Sequence, residues 1–209
     1  MGIQERKERE KLQRRNDIID SAEQLFFKHG LGKVSMDQIA QEAELSKGTL
    51  YLYFKGREDL HYAVVNRGLD LLNEIIQRNH VREANGADNL LQLGRSYIDF
   101  SREHPGHFQS MMLFDASSFE KIDKEQSLKI LEPGSPLMFL IEIVKSGQED
   151  GSVRNDISPE KLALILWSHL SSILELITLR GPLLNYLEVD EDSIIDSQFE
   201  ISLNGVLSK

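Results

Sequence analysis

Two serines, Ser35 and Ser46, constrain this chain more than any other feature. Ser35 stands three residues before Gln38, and Ser46 opens a stretch that carries Leu50 and Phe54 at helical spacing. A serine at a helix N-cap accepts a hydrogen bond from a backbone N–H of the first turn. A glutamine three residues on reaches back to the cap, so that each satisfies a donor of the other. The spacing predicts one short helix from Ser35 to about residue 43 and a second over 47–54, where Gly56 interrupts it. Two short helices on either side of a tight turn result, with Ile39, Ala40, Leu45, Leu50 and Phe54 as their core.

The helix before them is legible in the same way. Residues 13–29 place Ile18, Ala22, Leu25 and Phe26 on one face, and Gly30 follows where a left-handed C-terminal cap belongs. Residues 5–15 continue in strong helix formers with little that is apolar, as either a solvated helical extension or an arm that orders on binding.

Helical periodicity persists to the end of the chain. Residues 57–80 carry Leu60, Val64, Leu71 and Ile75 on one stripe with Val65, Leu69, Leu72 and Ile76 beside it, a face broad enough for two neighbours. Residues 81–88 read as a linker, and 90–104 resume helical spacing until Pro105 and Gly106 stop it. Ser135-Pro136 and Ser158-Pro159 share one start device, a capping serine followed by proline where the missing N–H costs nothing. The first of these helices runs to about 149 and ends at Gly151. The second, 159–179, is apolar almost all round through Leu162, Ala163, Leu164, Ile165, Leu166 and Trp167, so burial on opposite sides is expected. A last helix over 193–207 presents Ile195, Phe199, Leu203 and Val206. Residues 116–133 give no reading. The expected class is all-α, with 209 residues enough for a small module and a larger core.

Charge separates the two ends. Of 24 Lys+Arg and 34 Asp+Glu, residues 1–57 hold 11 and 9, leaving 13 and 25 in the rest, so a net +2 head precedes a net −12 body. The acidity therefore does not exclude nucleic acid at the head, although it mildly disfavours anionic ligands in the body. With no cysteine, neither a disulfide framework nor a thiolate metal site is possible. The charged start lacks the apolar stretch of a signal peptide, and no run is read as a membrane span, so a soluble cytoplasmic protein that does not engage membranes is expected.

From Ser46 to Arg57 there is no acidic residue, while Lys47, Lys55 and Arg57 are cationic and Ser46, Thr49, Tyr51 and Tyr53 offer hydroxyls. The start of such a helix also points free N–H groups outward, and Gly48 has no side chain to hold the backbone away from a groove floor. The run from Ser35 through Gln38, Ile39, Ala40, Ala43 and Leu45 to Ser46-Lys47-Gly48-Thr49-Leu50-Tyr51, then Tyr53-Phe54, resembles the DNA-binding signature of the tetracycline-repressor (TetR) family.

That resemblance covers about residues 16–73 in detail. It implies a three-helix helix-turn-helix domain over 16–57, with its motif at about 37–56, behind a charged arm at 1–15. A connecting helix over 58–80 and a helical-bundle ligand-binding and dimerisation domain over 81–209 would follow. Ser35 would hold a phosphate, Lys47, Gly48 and Thr49 would approach base edges, and Tyr53 would clamp backbone. Tyr51 would do so too, unless it only packs. Lys55 and Arg57 would anchor phosphates. Arg57 stands where the family usually has lysine, which keeps the charge. Glu44 stands where it often has glycine, at a cost of about 1 kcal/mol if the turn is left-handed. Arg14 and Arg15 are either solvated or inserted in the minor groove. The resemblance further implies a homodimer on palindromic double-stranded operator DNA, released by a small-molecule effector, most simply a repressor. An activator, a ligand-independent DNA-binding protein, or a helical carrier or enzyme are the alternatives.

In the body, Tyr97, Phe100, Phe108, Met111, Met112, Phe114, Phe139 and Trp167 are either plain core or the lining of an apolar cavity. Met111, Met112, Phe139 and Trp167 are the best pocket candidates. His169, on an apolar helix face, is a hydrogen-bonded core histidine or a polar ligand contact. His104 and His107 are close enough in sequence to share a metal, but Pro105 and Gly106 break the helix that would align them, so no metal or cofactor is expected. Gly30-Leu31-Gly32 lacks the preceding strand of a nucleotide loop, and no serine, histidine and carboxylate set has a catalytic spacing, so no enzyme is expected.

Overall fold

The computed structural model describes residues 2–80, 84–114 and 129–207. Among these, all regular structure is helical apart from one isolated antiparallel bridge between Val153 and Leu207. The chain divides into two compact units, and helix α4 (Arg57–Asn79) contributes its first half to one and its second half to the other.

The first unit holds α1 (Ile3–His29), a 3-10 turn at Leu31–Lys33, α2 (Met36–Glu42), α3 (Lys47–Tyr51), the start of α4, and α6 (Pro105–Met112). Its core gathers the predicted stripes: Ile18, Ala22 and Phe26 from α1, Ile39 and Ala40 from α2, Leu50 from α3, then Phe54, Leu60 and Val64. Each fully buried large apolar side chain contributes about 1.5–3 kcal/mol, so five- and seven-residue helices that are unstable alone are held by packing.

Helix α1 begins ten residues before the predicted start, and residues 3–14 are exposed throughout. Strong helix formers extend a helix already nucleated by its packed half. Gly30 takes φ 83 with ψ 144, a positive φ but not the left-handed helical cap expected of it. Helix α3 closes at Tyr51 rather than Phe54, because Phe54 turns its ring into the core.

Helix α6 was not foreseen. Pro105 stops the helix before it and starts the next, as proline is tolerated at a first turn. Gly106 lies against the ring of Phe27, where a Cβ would come within 2.5 Å of a ring carbon. His107 meets the same ring edge-on at 5.0 Å between centroids. Glu23 on α1 accepts from Nε2 of His107 at 3.1 Å and pairs with Arg67 on α4 at 2.9 Å, and Arg67 also pairs with Asp20. Burial works against the Arg67 charge, but its bonds to Asp20 and Glu23 outweigh that and hold its pKa above the ordinary value. His61 donates from Nε2 to the Ser110 carbonyl at 3.0 Å, and burial holds its pKa below the ordinary value.

The second unit holds the rest of α4 with α5 (Gly86–Glu103), α7 (Pro136–Asp150), α8 (Pro159–Tyr186) and α9 (Glu191–Val206). Helix α5 starts at Gly86, inside the expected linker. Asn85 caps the amide of Asp88, Asp150 accepts from the amide of Gly86 and Ser152 from that of Ala87, so the distant end of α7 supplies the missing partners. Ser135 caps α7 as predicted, and Gly151 closes it in the left-handed conformation. Ser158 sits at the N-cap of α8 but makes no capping bond with its side chain. Helix α9 starts two residues before the expected 193, capped by Asp190, which accepts from the Ser193 amide.

Helix α8 departs furthest from expectation. It runs on to Tyr186 across a kink at Arg180, ahead of Pro182. It is not buried on opposite sides within the chain: Leu162, Ala163, Leu174 and Leu184 are buried, while Leu164, Ile165 and Leu179 are 47%, 42% and 53% exposed. It is also the one described helix long and apolar enough to cross a membrane, where none was expected. Ser168, His169, Ser171, Ser172 and Glu175 interrupt its middle, and one side is packed into a core with α7.

Candidate nucleic-acid interface

The site is built on two helix starts. At α2, the Ser35 amide donates to Oε1 of Gln38 at 2.8 Å and the Gln38 amide donates back to Oγ of Ser35 at 3.3 Å, which completes the predicted capping box. At α3, the Thr49 amide donates to Oγ of Ser46 at 3.1 Å, and the two hydroxyls lie 2.8 Å apart. Glu44 makes the turn between the helices at φ 54, the left-handed conformation in which glycine would be less strained.

Helix α3 buries Leu50 and turns its other residues outward. Ser46, Lys47, Gly48 and Tyr51 are exposed, and Thr49 and Tyr53 are half-buried, with Tyr53 packed against the core. Leu52, which the spacing argument leaves unassigned, is 81% exposed between the two tyrosines. A Cβ on Gly48 would meet nothing closer than Oγ of Ser46 at 3.9 Å. Glycine inside a helix costs about 1 kcal/mol relative to alanine, and among the described residues nothing packs into the open space at Gly48 to repay it.

The cations have internal partners. Lys47 pairs with Asp37 on α2 at 2.6 Å, and that hydrogen bond raises its pKa. The amide of Lys55 donates to Asp59 at 2.8 Å, which helps start α4, while its exposed side chain extends from the same turn. Arg57 reaches the Gly32 carbonyl at 3.5 Å and Glu58 at 3.7 Å. Arg15 stands over the Phe54 ring, 4.9 Å from its centre, an intramolecular use that sequence reasoning missed. The candidates Ser35, Ser46, Lys47, Gly48, Thr49, Tyr51, Tyr53, Lys55 and Arg57 all lie in the first unit, on or beside α2, α3 and the start of α4.

The pocket candidates are divided. Met111 and Met112, half-buried on α6, belong to the first unit, and the Met111 sulfur lies beside Gly68. Phe139 and Trp167 belong to the second, where Phe139 meets His80 edge-on at 5.0 Å and Trp167 hydrogen-bonds Tyr97. His169 is exposed, so the core-histidine expectation does not hold: on an outward turn of α8 no neighbouring helix covers it. His104 and His107 lie 6.1 Å apart between ring centres, with His107 committed to Glu23. Among the described residues no group of three or more metal donors gathers. Of the segment that gave no reading, 116–133, residues 116–128 lie outside the described residues.

Residues 18–64 match the family model described as bacterial regulatory proteins, tetR family. Over 57 residues the chain is 42% identical to an HTH-type transcriptional regulator of Staphylococcus aureus (strain USA300), covering 27% of this chain and 31% of that protein. The chain thus matches less than a third of the length of that curated relative. A TetR-family transcriptional regulator from Haemophilus influenzae RD has a similar fold, with TM-score 0.66 and 18% identity over 95% of this chain and 98% of that one. So does a transcriptional regulator FadR from Bacillus subtilis in complex with stearoyl-CoA, with TM-score 0.69 and 18% identity over 90% and 97%.

Proposed function

We propose that this chain, whose N-terminal domain belongs to the TetR family of bacterial regulatory proteins, is a transcriptional regulator that binds a palindromic operator as a homodimer and is released by a small molecule. The observation that carries the reading is Gly48. Open space around Gly48, near the start of α3, leaves its backbone room to approach a groove floor closely. In this reading Lys47, Gly48 and Thr49 face base edges, while Ser35, Ser46, Tyr51, Tyr53, Lys55 and Arg57 hold phosphates. The helix-turn-helix domain is 16–57, behind the arm at 1–15, and 58–80 connect it to a ligand-binding and dimerisation domain at 81–209.

The uncovered side of α8, with Leu164, Ile165 and Leu179, supports dimerisation, because apolar side chains left in water by one subunit are repaid by its copy. Ile201 on α9, 68% exposed, extends the apolar surface available for a four-helix interface. Two recognition helices would then stand about 34–36 Å apart, or a multiple of that, on the duplex. An effector that changes this spacing with a coupling of about 1–3 kcal/mol would weaken DNA binding about 5- to 150-fold. The acyl-CoA in the Bacillus subtilis neighbour supports an apolar effector, for which Phe139 and Trp167 of the second unit are the proposed lining, while Met111 and Met112 stay with the first unit. His169, exposed, is assigned to the uncovered side of α8 instead. The protein acts in the cytoplasm, without catalysis, and as repressor where its operator overlaps a promoter.

Binding of the purified protein to the DNA upstream of its own gene, at several salt concentrations, tests the reading. Saturable binding centred on a palindrome, weakened by Lys47→Ala and by Tyr53→Ala, is the expected result. Binding that ignores sequence, or that both variants leave intact, overturns it.

A further inference from the structure

Within residues 46–54 Lys47 is the only charged residue, so the charge of the recognition segment is set by the partner that Lys47 takes. In the free chain that partner is Asp37, in the first turn of α2, with its carboxylate 2.6 Å from Nζ. Both side chains are more than half exposed, at 59% and 66%, so the pair lies at the surface and is weak enough to open. When closed, it leaves residues 46–54 with hydroxyls, Leu52 and no net charge to offer a phosphate.

We infer that Asp37 determines specificity by withholding Lys47 from the DNA backbone, releasing it only where base-edge acceptors compete for the ammonium. The inference rests on the DNA-binding reading above. Binding to arbitrary duplex is driven by cations on phosphates and carries no sequence information. A recognition helix whose one cation is already paired contributes little to it. At the operator, hydrogen-bond acceptors of the major groove replace the Asp37 carboxylate, and the pair opens. In this inference Asp37 acts through Lys47, as a positioning residue.

The test uses the full-length protein and its variants D37N, K47A and D37N/K47A, each checked for an unchanged helical spectrum. The probes are a duplex enriched by the wild type from a random library and a scrambled duplex of equal length, titrated across KCl. The expected result is that D37N binds the scrambled duplex about two- to fivefold tighter, with a salt slope steeper by about 0.9, one more phosphate contact. On the enriched duplex the slope stays as in the wild type, and the ratio of the two affinities falls. In the K47A background, Asp37→Asn leaves the scrambled-duplex slope unchanged. An unchanged slope for D37N, or the same gain with and without Lys47, overturns the inference, the latter because Asp37 would then act by general repulsion. A wild type that enriches no sequence overturns the DNA-binding reading and this inference with it; enrichment followed by an indifferent D37N overturns this inference alone.

Discussion

A Cβ placed on Gly86 would lie 2.1 Å from the Cα of Gly147, so α5 and α7 cross backbone to backbone at this pair. No side chain fits between them, and a Cβ on Gly147 would also meet Val153 at 2.5 Å. Gly86→Ala must therefore part the helices, which also strains the Asp150 bond that starts α5, and Gly147→Ala must displace Val153 and crowd Gly86. A loss of about 3 kcal/mol or more is expected, at or beyond the upper end of ordinary overpacking. Chemical denaturation checks it, and a loss below 1 kcal/mol would contradict so close a crossing.

Gly48→Ala is expected to act in opposite directions on stability and binding. With open space around the position, alanine should stabilise α3 by about 0.5–1 kcal/mol. The added methyl should weaken operator binding by about tenfold or more, a steric cost of at least 1.4 kcal/mol at the groove. Paired melting and titration measurements decide it; a stabilised variant with undiminished affinity would remove the argument from Gly48.

Leu164→Glu should leave the subunit folded, because position 164 is already 47% exposed, yet break a dimer that covers it. Two carboxylates would face each other across the twofold axis. Sedimentation is expected to show a dimer for the wild type and a monomer for the variant. A monomeric wild type would overturn the assignment of the α8 surface.

Arg67 holds α4 to α1 through Asp20 and Glu23, and Glu23 in turn holds His107. The Glu23 side chain is only 14% exposed, so its oxygens rely on these partners for hydrogen bonds. Arg67→Ala should cost about 1–2 kcal/mol, less than a fully buried pair would because Asp20 is open to solvent. The loss should shrink at high salt, and a salt-independent loss would assign Arg67 a packing role instead.

His61 makes stability depend on pH in a defined direction. Burial among Phe26 and Phe114 lowers its pKa from the ordinary 6.5, an effect the Ser110 carbonyl partly offsets, while Arg57 lowers it further and Glu58 raises it. Below 6.5 the unfolded chain therefore binds a proton that the folded chain resists. The contribution is fully present above that value and declines as pH falls toward the folded pKa. Across pH 7 to 5 the wild type should lose more stability than His61→Asn, as measured by urea denaturation. Parallel curves would mean that His61 takes up its proton without cost.

Local rules were enough for much of this protein. The caps at Ser35, Ser46 and Ser135, the apolar stripe of α1 and the left-handed stop at Gly151 each depend on residues within a few helical turns of one another, so a sequence carries them openly. The acid-free run from Ser46 to Arg57 was legible for the same reason, and it marked the candidate interface. What stayed hidden needed partners brought from afar by folding. Helix α5 starts early because Asp150 at the end of α7 and Ser152 just beyond it cap it, and α6 docks through a glycine pressed onto Phe27. Lys47 finds Asp37 because the turn at Glu44 folds α3 back toward the start of α2. Periodicity marked α8 as doubly buried, but one chain covers one side of it. Hydrophobicity states that a surface must leave water; the tertiary arrangement decides which partner removes it.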